Sequence, residues 1–390
     1  VNLKHVAIKL VLYVLRLYPI KQNRIFFMSY YGQQYGGNPK YISDYFIKND
    51  RFQRFDLVWG VSKTTEFILP PRIKKVRLFS FKTLRMLATS KVIITNYRLP
   101  DYFIKREGQH YIQTWHSSLR LKKVEKDAEA ALPASYVKMA KRDSKHTDLI
   151  LSGSRFSTET IRRAFWYKGD ILESGMPRND MLLQQNELKK KEIKLQIGAS
   201  NEAKLLLYAP TFRKTFKAED YKLDYSMIQH IMEQKTGDKW TILVRLHPHL
   251  IQHSKDILSG KDVIDATAYP DIQELLAVAD ICITDYSSLM FDYMITKKPC
   301  FLFVPDLETY KKDDRGLYFT PEELPFPIFK KAEDLLGLLQ EFDQNQYRKK
   351  VQQFTDSVGS YDDGTAARQV YEHIDNICFR AKRSEWNEAI

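Results

Sequence analysis

Residues 281–292 read ICITDYSSLMFD, and residues 245–249 read RLHPH. Each completes a short apolar run: 240–246 is WTILVRL and 279–284 is ADICIT. Such runs, bounded by polar clusters, predict strands. Each strand stops at groups able to hold an anion. The first ends in Arg245, His247 and His249. The second ends in Asp285, Tyr286, Ser287 and Ser288, ahead of an amphipathic run over 289–295. Hydroxyls and free backbone N–H groups at a strand-to-helix junction favour phosphate. Two such junctions in one α/β half point to a phosphorylated ligand at the strand ends.

The same alternation extends both ways. Upstream strands are expected at 24–29, 55–61, 74–79, 91–96, 110–115 and 147–153, with helices at 39–48 and 81–88 and another opening at 154–157. Downstream strands are expected at 204–209, 240–246, 262–265, 279–284 and 299–304, with helices at 221–235, 271–278, 288–296, 331–343 and 365–381. Strand and helix in alternation imply parallel sheets. A polar, Lys-rich stretch at 183–200 reads as a boundary. The expected class is α/β, with two doubly wound halves facing each other across a cleft. The expected divisions are 1–22, 23–185, 200–364 and 365–390, the last a helix returning to the N-terminal half.

A chain of 390 residues suits two domains rather than one. A net charge of +13 implies an anionic partner: nucleic acid, acidic lipid or a polyanionic substrate. Cys282, Cys300 and Cys378 form no CxxC pair and no metal-ligand spacing, so they read as core residues of a reducing compartment. No metal and no cofactor is expected. Glycine-rich phosphate loops are missing, which argues against dinucleotide dehydrogenases and P-loop NTPases. No RNA-recognition signature accompanies the charge, and no nucleic acid is expected.

The N-terminal run is interrupted by Lys4, Lys9 and Arg16 and cannot span a bilayer. At helical spacing, Leu3, Ala7, Leu10, Val11, Val14, Leu17 and Tyr18 share a face. An amphipathic helix of this kind can lie on an anionic membrane.

Four further stretches carry chemistry. His116 ends a strand, where an imidazole can accept a proton from an attacking hydroxyl. Ser117 adjoins it on the acceptor side, and Lys122 and Lys123 follow and suit an anionic acceptor. Arg178 lies in SGMPRND (174–180), a turn shaped by Gly175 and Pro177. Thr211 and Arg213, in YAPTFR (208–213), offer a hydroxyl and a charged fork to phosphate. His247 is held extended by Pro248 and can stabilise a leaving phosphate. Ser287 and Ser288 suit either helix capping or phosphate binding. Asp285 is expected to cap the following helix beside the bound donor.

These motifs, in order, are SYYGQQYGGNPKYI (29–42), TWH (114–116), SGMPRND, YAPTFR, LHP (246–248), ITDYSSLMFDY (283–293) and YDDGTAARQV (361–370). The order resembles the CDP-glycerol glycerophosphotransferase family, the primases and polymerases of wall teichoic acid synthesis with relatives in capsule assembly. The resemblance runs over about residues 25–375. It implies a GT-B fold of two Rossmann-like domains, the C-terminal one holding the nucleotide. It implies His116 and His247 as the two functional histidines, His116 as general base. Ser287 and Ser288 would lie by the donor phosphates, with Thr211 and Arg213 nearby; Arg245 and Asp285, at the same strand ends, are candidates for the donor side from their position alone. Ser117, Lys122 and Arg178 would face the acceptor.

The implied donor is CDP-glycerol or a related CDP-polyol. The implied acceptor is an undecaprenyl-linked saccharide at the cytoplasmic face of the membrane. The family's usual His-Gly-Thr is here His116-Ser117-Ser118, a change that bears on the acceptor more than the donor. The alternatives are a CDP-ribitol ribitolphosphotransferase, or a GT-B glycosyltransferase using a nucleotide sugar.

Overall fold

The computed structural model describes residues 3–380 apart from 66, 101, 185, 214–216, 259–262 and 314–315. The chain divides into two units. Residues 1–118, 124–180 and the chain from Ser360 form the first; 119–123 and 181–359 form the second.

The first unit is built on seven strands: β1 (Lys21–Met28), β2 (Asp56–Val61), β3 (Lys74–Arg77), β4 (Ser90–Thr95), β5 (His110–Gln113), β6 (Leu149–Leu151) and β7 (Asp170–Leu172). All neighbours are parallel, in the order β3-β2-β1-β4-β5-β6-β7. Ile25, Phe27, Trp59, Ile94 and Ile112 fill one side of the sheet, where Ile42 and Phe46 of the helix Gly37–Asn49 pack on them. Phe26, Met28, Val58, Ile93 and Tyr111 fill the other. Both faces are therefore covered, as a parallel sheet requires.

The second unit has six parallel strands: β8 (Lys204–Tyr208), β9 (Trp240–Val244), β10 (Val263–Asp265), β11 (Ile281–Thr284), β12 (Cys300–Phe303) and β13 (Ile328–Phe329). Their order is β10-β9-β8-β11-β12-β13. In both units the first strand lies between the second and the fourth, which is the Rossmann order. The crevice of each unit therefore opens at its β1/β4 or β8/β11 junction, where the winding reverses. Cys282 and Cys300, distant in sequence, are register partners on β11 and β12. Both are buried core residues, and burial pushes the Cys300 thiol well up.

Several elements differ from the sequence expectation. β7 and β13, with three and two residues, are too short to show a period. The Lys-rich stretch contains a helix, Glu187–Gln196, which buries only Ile193 and is capped by the Asn186 side chain. A second unexpected helix, Gln344–Val358, is capped by Asp343 and ended by Gly359 at φ +62°. Segment 119–123, expected in the N-terminal half, belongs to the second unit: Tyr318 N–H donates to Leu121 O (2.7 Å) and Lys123 N–H to Gly316 O (2.9 Å).

The chain from Ser360 returns to the first unit. There Val370 and Ile374 of the helix Ala366–Asp375 join the core that holds Ile42 and Phe46. The Asp180 carboxylate accepts from the N–H groups of Ala366 (3.0 Å) and Ala367 (2.8 Å), capping this helix from a distant part of the chain. The tail of the expected helix, 381–390, lies outside the described residues.

The N-terminal segment is a helix, Leu3–Val14, with a short extension, Leu15–Leu17. Its apolar residues occupy two faces rather than the one expected. Ile8, Leu12 and Leu15 are buried against Leu84 and Ala88, with Val11 packed beside them. Val6, Leu10, Tyr13, Val14, Leu17 and Tyr18 are exposed. Among the described residues, no helix is long and apolar enough to cross a membrane.

Candidate active site

In the second unit the site grows from the ends of four strands. Thr211 and Arg213 follow β8, His247 follows β9, Asp285 follows β11 and Asp306 follows β12. β8 and β11 are neighbours, so Thr211 and Asp285 meet although 74 residues separate them. Thr211 N–H donates to both Asp285 oxygens, at 3.1 and 2.9 Å. Arg213 Nη1 donates to Asp285 (3.1 Å) and Nε to Asp306 (2.8 Å). Tyr221 lies under the guanidinium at 4.8 Å. Tyr286 donates to Asp306 (2.9 Å), and its ring stacks on Tyr310 at 3.5 Å.

Burial pushes the Asp285 carboxyl up while Arg213 pulls it down. Burial also opposes the Arg213 charge, but Asp285 and Asp306 overcome it and raise the guanidinium further. An ion pair at this depth persists only with such complete partnering. Asp285 is therefore not the helix cap expected from sequence. Its carboxylate faces β8, and the first N–H of the helix Leu289–Met294 donates instead to Ser287 Oγ (3.2 Å). Ser287 and Ser288 are half-buried at that junction. Arg213, expected to grip phosphate with its whole fork, commits Nε and Nη1 to carboxylates. Its Nη2 and Thr211 Oγ1 are buried and make no hydrogen bond of good geometry among the described residues, with the Tyr221 and Asp285 side chains as their polar neighbours. Such groups need a partner, and a phosphate oxygen would supply one to each.

His247 is exposed, stacks on His249 (5.1 Å) and lies tilted against the Phe212 ring (6.0 Å). Its Nδ1 accepts from His249 N–H (3.3 Å), so the neutral ring carries its proton on Nε2. Partial desolvation, then the His249 and Arg245 charges, hold its pKa below the usual histidine value. A neutral imidazole with a free Nε2–H is a donor for an oxyanion. Arg245 Nη2 donates to Tyr269 O (3.3 Å). Lys122, expected on the acceptor side, lies in the second unit with its ammonium 4.8 Å from the Tyr310 ring.

In the first unit the chain leaving β5 curls sharply. Trp115 has φ +50°, a backbone conformation rare for a bulky residue and frequent at functional sites. Its ring packs edge-on against Phe165 (5.2 Å) and lies 5.0 Å from the Arg98 guanidinium. His116, half-buried, stacks parallel to Tyr30 at 5.5 Å and 6°. Tyr30 N–H donates to Asn96 Oδ1 (2.9 Å), and Asn96 Nδ2 donates to Ser29 Oγ (3.2 Å), which locks the β1/β4 switch point.

Ser117 Oγ accepts from Arg178 Nη2 (2.7 Å). Ser118 Oγ donates to Asp362, whose other oxygen accepts from Met176 N–H (2.8 Å) and Asn179 Nδ2 (3.3 Å). Gly175 sits at φ +81°, and a Cβ there would meet Tyr361 O at 2.9 Å. The motifs at 114–118, 174–180 and 361–364 thus form one knot, with the Ser118 side chain tied to Asp362 inside it. Asn38, Tyr30, Asp306 and Asp362 escaped the sequence reading as site residues. The signal for three of them was present, since Tyr30, Asn38 and Asp362 lie inside motifs already singled out.

The chain matches the family CDP-Glycerol:Poly(glycerophosphate) glycerophosphotransferase over residues 10–376 and belongs to it. It is 31% identical over 372 residues to a teichoic acid poly(glycerol phosphate) polymerase of Bacillus spizizenii, covering 93% of this chain and 94% of the relative. It is 33% identical to the same-named protein of Staphylococcus epidermidis, covering 91% of this chain but 51% of that longer relative. A solved structure of the wall teichoic acid polymerase TagF superposes with a TM-score of 0.83 at 31% identity, covering 97% of each chain.

Proposed function

We propose that this chain transfers glycerol phosphate from CDP-glycerol to a hydroxyl of a lipid-linked acceptor in teichoic acid synthesis. The acceptor oxygen bonds to the phosphorus that bears glycerol, and the bond from that phosphorus to the CMP oxygen breaks. The hydroxyl proton passes to His116, and CMP leaves. Phosphoryl transfer of this kind relies mainly on positioning and charge stabilisation. His247 Nε2–H, Arg213 Nη2, Thr211 Oγ1, Ser287 and Ser288 supply that stabilisation at the donor. Asp285 and Asp306 hold Arg213 in place, and Arg245 adds positive charge beside His247. Arg178 and Ser117 serve the acceptor side by fixing the His116 turn. Lys122 serves from beside Tyr310.

The observation that carries the reading is the pair of buried donors, Arg213 Nη2 and Thr211 Oγ1, which make no hydrogen bond of good geometry among the described residues at the β8/β11 switch point of a family member. Membrane contact rests on the exposed apolar side chains of Val6, Leu10, Tyr13, Val14 and Leu17, with Lys9 and Arg16 near them. That face suits the cytoplasmic surface of an anionic membrane. A thermal-shift comparison of CDP-glycerol, CDP-ribitol, CMP and UDP-sugars tests the donor. CDP-glycerol should stabilise the protein most. A larger shift with a UDP-sugar would replace the reading with glycosyl transfer.

A further inference from the structure

The turn bearing His116 is held by a residue with no assigned role. Asn38 is fully buried in the first turn of the helix Gly37–Asn49. Its Nδ2 lies 3.3 Å from Thr114 O, 3.0 Å from Trp115 O and 3.0 Å from His116 O. Three consecutive carbonyls can converge on one atom only because Trp115 is in the left-handed region. The other end of the same amide, Oδ1, accepts from Arg178 N–H at 3.1 Å. Arg178 then reaches Ser117 through Nη2. One amide thus brackets the His116 turn from below and fixes the arginine that steadies the next residue.

The chemistry of the bracket is specific. An amide supplies two N–H donors on one side and an acceptor on the other. A carboxylate has the same shape but no donor, and it would set a negative charge against three carbonyl oxygens. Gly37, the residue before, has φ +61°, and a Cβ there would meet Asn96 Nδ2 at 2.9 Å. The start of this helix is therefore seated against the β1/β4 switch point, which gives Asn38 a rigid base. Tyr30, tied to Asn96, stacks on the imidazole.

We infer that Asn38 is a positioning residue for the transfer reaction, setting the orientation of the His116 imidazole through the three carbonyls of its turn. This rests on the reading of His116 as the general base. A displacement of about 1 Å in a reacting group costs on the order of 100-fold in rate.

The test measures CMP release by the full-length protein carrying Asn38→Asp, with CDP-glycerol and a lipid-linked acceptor. The expected result is a kcat reduced about 100-fold, a KM for CDP-glycerol within twofold of about its wild-type value, and an acid limb of the pH–rate profile moved to higher pH by the new charge near His116. Should Asn38→Asp not fold, Asn38→Ser carries the same readings without the charge, and there the expected result is the kcat loss alone. A kcat within about twofold of wild type in a folded variant overturns the inference. His116→Ala run in parallel separates the two claims. Retained activity there removes the base assignment itself, whereas loss there with full activity in Asn38→Asp removes only the bracket.

Discussion

Arg213 Nη1 lies 3.1 Å from Asp285 Oδ2, joining the residues that follow the two strands at the switch point of the second unit. The arginine is 6% and the aspartate 2% exposed. Removing Asp285 leaves the buried Arg213 charge with Asp306 as its remaining counter-charge, on one edge of the guanidinium. Asp285→Asn should therefore destabilise the protein by about 3 kcal/mol and weaken CDP-glycerol binding. Asp306→Asn should cost less, because the Asp306 side chain retains 19% exposure. Calorimetric melting of the two variants checks the order. Equal, small losses would show that the pair contributes little.

His247 contrasts with that pair because its side chain is exposed. His247→Ala should leave stability within about 0.5 kcal/mol of wild type. It should lower kcat by about 100-fold or more through loss of one oxyanion donor. Paired melting and turnover measurements read both. A large drop in melting temperature would reassign His247 to structure.

Asp56 links acid stability to the first unit. Burial alone would raise its pKa, but Lys74, Arg24 and Lys21 donate to it and bring it from 3.8 down to about 2. The folded state thus favours the ionised form. Its contribution is complete above the unfolded value and is lost as pH falls through the folded one. The partners Lys21 and Lys74 are half-exposed or more, so screening limits the contribution to about 1–2 kcal/mol. The stability gap between wild type and Asp56→Asn should therefore shrink as pH falls from 3.8 toward about 2. A gap independent of pH over that window would contradict the assignment.

The exposed face of the N-terminal helix gives a fourth expectation. Leu10 and Leu17 are 64% and 86% exposed, so Leu10→Glu with Leu17→Glu should leave the fold intact. Each buried leucine is worth about 1.5–3 kcal/mol, so affinity for anionic vesicles should fall by at least about 100-fold. Cosedimentation of variant and wild type to the same extent would remove the membrane role from this face.

The frame was legible because strands such as 91–96 and 240–246 are dense in branched apolar residues and stop at polar clusters. The polar helix Glu187–Gln196 was not, since one buried isoleucine sets no period; only its Asn186 cap marked it. Individual functional groups were legible by type but not by partner. Nothing local tells Arg213 that Asp285 and Asp306 will face it, because parallel crossovers bring them together from 72 and 93 residues away. For the same reason Asp285 read as a cap, a local role that its sequence neighbours suit. Asn38 directly precedes the helix expected at 39–48 and has no role in the sequence reading. Its partners at 114–116 and 178 come from the ends of other elements.

The central claim is tested most directly by supplying the purified protein with CDP-glycerol labelled in glycerol and a lipid-linked saccharide, then counting both products. The account predicts acceptor-dependent CMP release, with one labelled glycerol phosphate joined to the lipid for each CMP, and neither product from His116→Ala. Wild-type protein that releases no CMP from CDP-glycerol, or that loads the acceptor from a nucleotide sugar instead, would contradict it.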